Sequence, residues 1–206
     1  MTIRNASSGA LSPTPDGPDG APDRTEARLL EAASELVATR GTRGLSIAEL
    51  ARAAGVSRPT VYRRWESADD VLRAVFGYRA QLVLNTIGPQ AADRATIVDK
   101  VVRFGEQFHA DPVFGRLLAS EPEVFTRYTF QRIGRSQRVL LEWLASAIGA
   151  AQQGGTVRAG SATDMAVMVL LISQSVVFSH QTVTTVIDDD ALRTELTHSL
   201  DGYLRP

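Results

Sequence analysis

Apolar side chains recur three and four positions apart along almost the whole chain from residue 23 onward, and no stretch alternates as a strand would, so the pattern predicts an all-α fold. The first stripe is Leu29, Leu30, Ala33, Leu36 and Val37, opened by Asp23 with Glu26 at a helix start and closed by Gly41 and Gly44. A second, shorter stripe, Ile47, Leu50, Ala51 and Ala54, falls at i, i+3, i+4 and i+7. Ser46 and Glu49 stand at capping-box spacing, the hydroxyl placed to accept a first-turn N–H and the carboxylate to reach back to the cap amide. Gly55 lets the chain leave this helix with positive φ. Ser57 is then expected to cap another helix, with Pro59 in the first turn, where a missing N–H removes no helical bond. Val61 anchors that last helix, and Val56 is expected to tuck between the two.

Beyond Ser67 the same spacing predicts helices over about 68–86, 91–109, 112–119, 122–152, 161–185 and 189–203. Pro89, Pro112, Pro122 and the Gly154-Gly155 pair mark the breaks, and Gly134 leaves open a division of 122–152 into two helices. Residues 1–22, rich in Pro, Gly, Ser and Asp without periodicity, read as a disordered tail.

Charge changes the picture at one place. The 206-residue chain has a net charge of −1, yet residues 40–64 hold Arg40, Arg43, Arg52, Arg58, Arg63 and Arg64 against Glu49 alone, a local balance of +5. Phosphate attraction acts through local potential, screened beyond roughly 8 to 10 Å, so an acidic protein can still hold a polyanion there. Two short helices joined by Ala54-Gly55-Val56-Ser57, the second carrying arginine and hydroxyl groups, form a helix-turn-helix pattern whose second helix is suited to a DNA major groove.

These residues resemble the tetracycline-repressor (TetR) family of bacterial transcription regulators. The likeness is carried by the helix around Leu29, by Ala54-Gly55-Val56-Ser57, Pro59-Thr60, Tyr62 and Trp65, and by Ser67 opening the next helix; it covers residues 23 to 76. It implies a three-helix DNA-binding domain at 23–67 and a helical effector-binding and dimerisation domain at 68–206. The DNA-binding candidates are Arg43, Ser46, Ser57, Arg58, Pro59, Thr60, Tyr62, Arg63 and Arg64. Of these the resemblance places Arg58, Pro59 and Thr60 nearest the bases and gives Tyr62, Arg63 and Arg64 to phosphates. Where the family commonly has a lysine shortly after the aromatic, this chain has Ser67-Ala68-Asp69-Asp70, which offers no such phosphate contact.

The C-terminal part holds material for two further tasks. The stretch 161–185 is apolar on nearly every side, and the last helix carries Leu192, Leu196, Leu200 and Tyr203 on one stripe, so both need cover. Met165, Val169, Ile172, Val176, Leu192, Leu196, Leu200 and Tyr203 are therefore the expected homodimer interface, and a two-fold dimer would match a palindromic operator in double-stranded DNA. Aromatics spread over the helices with a few polar groups give a candidate effector site of Phe76, Phe104, Phe108, His109, Phe125, Tyr128, Trp143, Gln174 and Phe178, mostly apolar as small-molecule pockets are.

Other chemistry is thinly represented. There is no cysteine, so no disulfide or thiolate; His109, His180 and His198 lack metal-ligand spacing; no phosphate-binding glycine loop or nucleophile elbow appears. Asp188-Asp189-Asp190 is explained as a complement to a helix dipole. No catalytic residue, metal or cofactor is expected. The longest apolar run, Met165 to Phe178, is interrupted by Ser173, Gln174 and Ser175 and falls short of the roughly 20 residues a bilayer requires. With no signal-peptide pattern, the expectation is no membrane and cytoplasmic residence. The reading is a homodimeric repressor released from its operator by a small, largely apolar effector of unknown identity. An activator, a ligand-independent repressor, or a helical ligand-binding or enzymatic protein that no longer touches DNA are the alternatives, and steep salt dependence of DNA affinity separates the last from the rest.

Overall fold

The computed structural model describes residues 23–88, 91–130 and 134–206, so the expected N-terminal tail lies outside the described residues. The described chain is helical throughout and has no strand. Helix α1 (Arg24–Arg40) starts where Asp23 Oδ1 accepts the Glu26 N–H at 2.7 Å and ends at Gly41, whose φ of +71° a side chain would resist. A single 3₁₀ turn, Thr42–Gly44, leads to α2 (Ile47–Ala53) and α3 (Arg58–Tyr62). Leu29, Ala33, Val37, Leu50 and Val61 are sealed from solvent where these three helices meet. Each large side chain buried in this way contributes about 1.5 to 3 kcal/mol, which fixes a hairpin whose helices are too short to stand alone.

Helix α4 (Ala68–Ile87) begins with a complete capping box: Asp70 N–H donates to Ser67 Oγ at 3.2 Å and Ser67 N–H donates to Asp70 Oδ2 at 3.1 Å. Its buried residues Val71, Leu72, Val75 and Phe76 continue the hairpin's core, which therefore does not break at residue 67. Helices α5 (Arg94–Ala110), α6 (Pro112–Ser120) and α7 (Glu123–Phe130) follow. Asp111 caps α6 through Oδ1, while its Oδ2 accepts from Arg79 Nε of α4 at 2.9 Å, so two helices share one buried carboxylate.

Helix α8 (Arg135–Gln153) is separate from α7, so the stretch 122–152 is two helices. A second core lies between α5, α8, α9 (Ala162–Val183) and α10 (Asp189–Leu204), built on Ile97, Ile148, Met165, Val169, Leu200 and Leu204. Helix α9 is longer than the apolar run alone indicates. Its 22 residues are long and apolar enough, by length and composition, to cross a membrane, and only 22% of its most apolar stretch is buried within the chain.

Candidate nucleic-acid interface and ligand cavity

The turn between α2 and α3 is set by hydrogen bonds rather than by length. Gly55, at φ +64°, donates its N–H to Arg52 O at 3.2 Å, and the Val56 N–H donates to Ala51 O at 2.9 Å. Together these bonds satisfy two orphan carbonyls of α2 in a Schellman motif and turn the chain into α3. Val61 and Trp65, four residues apart, face the core, so Arg58, Pro59, Tyr62 and Arg63 occupy the opposite face in solvent. Tyr62 is 55% exposed on that face. Arg43 and Ser46 are exposed nearby, at the 3₁₀ turn and the start of α2.

Several caps and charges differ from expectation. Ser46 Oγ accepts the Glu49 N–H at 3.1 Å, but the Glu49 carboxylate pairs with Arg52 and, at 3.4 Å, with Arg40, so the Ser46–Glu49 box is only half formed. Two guanidinium groups outcompete one amide for the carboxylate. Ser57 does not cap α3 with its side chain; its hydroxyl lies 2.9 Å from that of half-buried Thr60. Arg64 turns back to Asp23 at 2.7 Å, with only 20% of its side chain exposed, and so braces α1 instead of standing free for phosphate. The Glu26 N–H and the Arg64 guanidinium hold the Asp23 carboxyl below the usual carboxylate range.

A cavity of about 100 Å³ lies between α4, α5, α6, α7, α8 and α9, with Leu196 of α10 at its edge. Phe76, Phe104, Phe108, Phe125, Trp143, Gln174 and Phe178 all line it, so seven of the nine residues expected at an effector site are brought together. Phe108 stacks on Phe114 with centroids 4.0 Å apart, and Phe178 sits 5.2 Å from Phe125. Two expected residues are elsewhere. His109 packs against His180 at 4.5 Å and is not among the lining residues, and burial together with the neighbouring His180 pushes its pKa down. Tyr128 lies outside Phe76, at 5.6 Å, under the Arg73 guanidinium. Periodicity gave no access to Ser136, Gln137, Leu140 or Ser173, which also line the cavity.

The expected dimer residues divide as well. Met165, Val169, Leu196 and Leu200 are buried in the chain's own second core, because α5 and α8 already cover that side of α9 and α10. They are unavailable to a partner. Ile172, Val176, Leu192 and Tyr203 are half-buried, while Met168 and Leu171, which the stripe reading passed over, are 42% and 50% exposed on the outer face of α9.

A further contact ties the two halves. Glu121, at the C-terminal end of α6, accepts the Thr42 N–H with both carboxylate oxygens, at 3.1 and 3.3 Å, and also receives the Thr42 hydroxyl. These residues are 79 positions apart, so no local pattern announces the bond.

Residues 29–75 match the bacterial regulatory proteins of the tetR family. HTH-type transcriptional regulators of Mycobacterium bovis and Mycobacterium tuberculosis are 39% identical over 180 residues, spanning 87% of this chain and 94% of theirs. The chain belongs to the TetR family. Among solved structures, the TetR-family transcriptional repressor QsdR of R. erythropolis has the same fold, with a TM-score of 0.67 and 17% identity over 89% of this chain and 97% of that one. The regulator FadR of Bacillus subtilis, solved in complex with stearoyl-CoA, aligns with a TM-score of 0.59 and 16% identity over 87% and 99% of the two chains. In this TetR-family chain α1 to α3 are the DNA-binding domain and α2 to α3 its helix-turn-helix, and the protein is a transcription regulator, not an enzyme.

Proposed function

We propose that this TetR-family regulator is a homodimeric repressor, freed from a palindromic operator when a small, largely apolar effector enters the cavity among α4 to α9. In this reading residues 23–67 are the DNA-reading head and 68–206 the effector and dimer body, acting on chromosomal DNA in the cytoplasm. One observation carries it. The apolar core that seals Leu29, Leu50, Val61 and Trp65 in the head runs without interruption to Phe76, Phe114 and Phe125, which are walls of the cavity. A side chain displaced by ligand therefore pushes on atoms packed against the recognition helix, since close-packed interiors transmit strain.

The volume supports a displacement. About 100 Å³ is smaller than the roughly 150 Å³ that holds a benzene ring, so any effector of that size or larger must move the walls apart. A dimer is supported by the uncovered outer face of α9, where Met168 and Leu171 stand in water in the single chain. The ligand reading is in keeping with FadR, whose complex holds stearoyl-CoA. Selection of bound fragments from the host genome should return a shared palindrome whose affinity falls steeply with salt, and small apolar compounds that fill the cavity should release it. A selected site with no two-fold symmetry, or affinity insensitive to salt, overturns the operator reading; tighter DNA binding with ligand reverses the direction of control.

A further inference from the structure

We propose that Gln174 is the specificity-determining donor of this cavity, its amide NH₂ held in place to meet a neutral carbonyl acceptor on an otherwise apolar ligand. The inference rests on reading the cavity as an effector site and names the chemistry that site would take.

The orientation follows from a relay of bonds. At the start of α8 the Gly134 N–H has no helical partner and donates to Gln137 Oε1 at 3.0 Å. With its oxygen so engaged, the Gln137 amide presents nitrogen on its other side, and Nε2 donates to Gln174 Oε1 at 3.3 Å. Gln174, on α9, must then point its own NH₂ away from Gln137. Among the described residues no acceptor meets that NH₂, and Gln174 borders the cavity. The adjacent hydroxyl cannot substitute for it, because Ser173 spends its proton on Val169 O at 2.7 Å. The cavity thus combines phenylalanine walls with a donor whose direction is fixed by its neighbour.

Such a donor rewards an acceptor more than water does, since inside an apolar site the bond forms without solvent competition. Among the described residues the lining has no charged side chain, so a carboxylate entering it would lose its hydration with no cation in return. Neutral ketones, esters and amides on an aromatic or aliphatic body fit both conditions.

Three probes of similar size and different polarity test this on the full chain: acetophenone, ethylbenzene and benzoate, each titrated while the Trp143 indole N–H is followed by NMR. Acetophenone should bind about tenfold more tightly than ethylbenzene, and benzoate should leave the signal unmoved. In Gln174→Leu the gap between the first two should close, with the thermal midpoint recording that the fold is kept. Gln174→Met, of matching length, carries the same expectation if the leucine variant unfolds. Gln137→Leu retains the donor but frees its orientation, and should narrow the gap without closing it. Equal binding of acetophenone and ethylbenzene, or a gap that survives in Gln174→Leu, overturns the role of Gln174. Benzoate binding as tightly as acetophenone overturns the neutral class. If none of the three moves the Trp143 signal, the effector-site reading itself falls.

Discussion

Arg58 and Arg63 are both exposed, at opposite ends of α3, and their places suit them to different proposed tasks. Arg58 opens the helix and is proposed to reach a base edge and bind guanine bidentately, whereas Arg63 caps its other end and is proposed to meet phosphate. Arg58→Ala should therefore cost about 1 to 3 kcal/mol on the selected operator and relax base preference. Arg63→Ala should weaken operator and random duplex alike and lower the salt slope by about one. Fluorescence anisotropy on both duplexes from 50 to 200 mM salt reads all of these, and equal losses for Arg58→Ala on the two duplexes would remove its base contact. At this scale the sequence told charge from apolar anchor well, because Val61 sits at helical spacing from Trp65. It could not tell a free arginine from a braced one: Arg64 meets Asp23 only after α1 has folded over the hairpin, 41 residues away.

At the scale of elements, α5 and α9 bring His109 and His180 together, an encounter between residues 71 positions apart that no stripe could show. Burial first, and then the neighbouring His180, lower the His109 pKa; the Val177 backbone and Asp189, which itself holds His180 at 2.9 Å, act the other way. The unfolded chain therefore binds more protons than the folded one in the range between the lowered value and the ordinary value of about 6.5, so stability rises with pH across that range. His109 contributes fully above the ordinary value and loses its contribution as pH falls. Thermal midpoints of the protein and of His109→Gln, measured from pH 5 to 8, should converge at the acid end, and parallel curves would refute the assignment. The helices themselves were largely legible, since Asp23, Ser46 and Ser67 cap where their side chains predict and glycine closes α1 and α2. The cavity was legible in part. Aromatic spacing marks the inward side of a helix but cannot say which rings border empty space, which is why Phe76 and Phe178 line it while Tyr128 does not.

For the whole molecule, the question is what covers α9. The apolar stripe predicted a helix covered on two opposite sides; the chain's own α5 and α8 take one of them and leave Met168 and Leu171 outward. Leu171→Glu should yield a monomer by light scattering with unchanged helical content, and its operator affinity should fall because one head cannot hold two half-sites. A dimer of unaltered affinity would move the interface elsewhere. Between head and body, finally, stands Glu121. Gly41 resists a side chain by its φ of +71°, and a Cβ built there would lie 1.9 Å from Glu121 Oε1, so a side chain at this position has to displace the carboxylate that grips Thr42. A side chain at position 41 would swing that carboxylate aside and unfasten the two halves at this point, so Gly41→Ala should lower the thermal midpoint about as far as Glu121→Gln does.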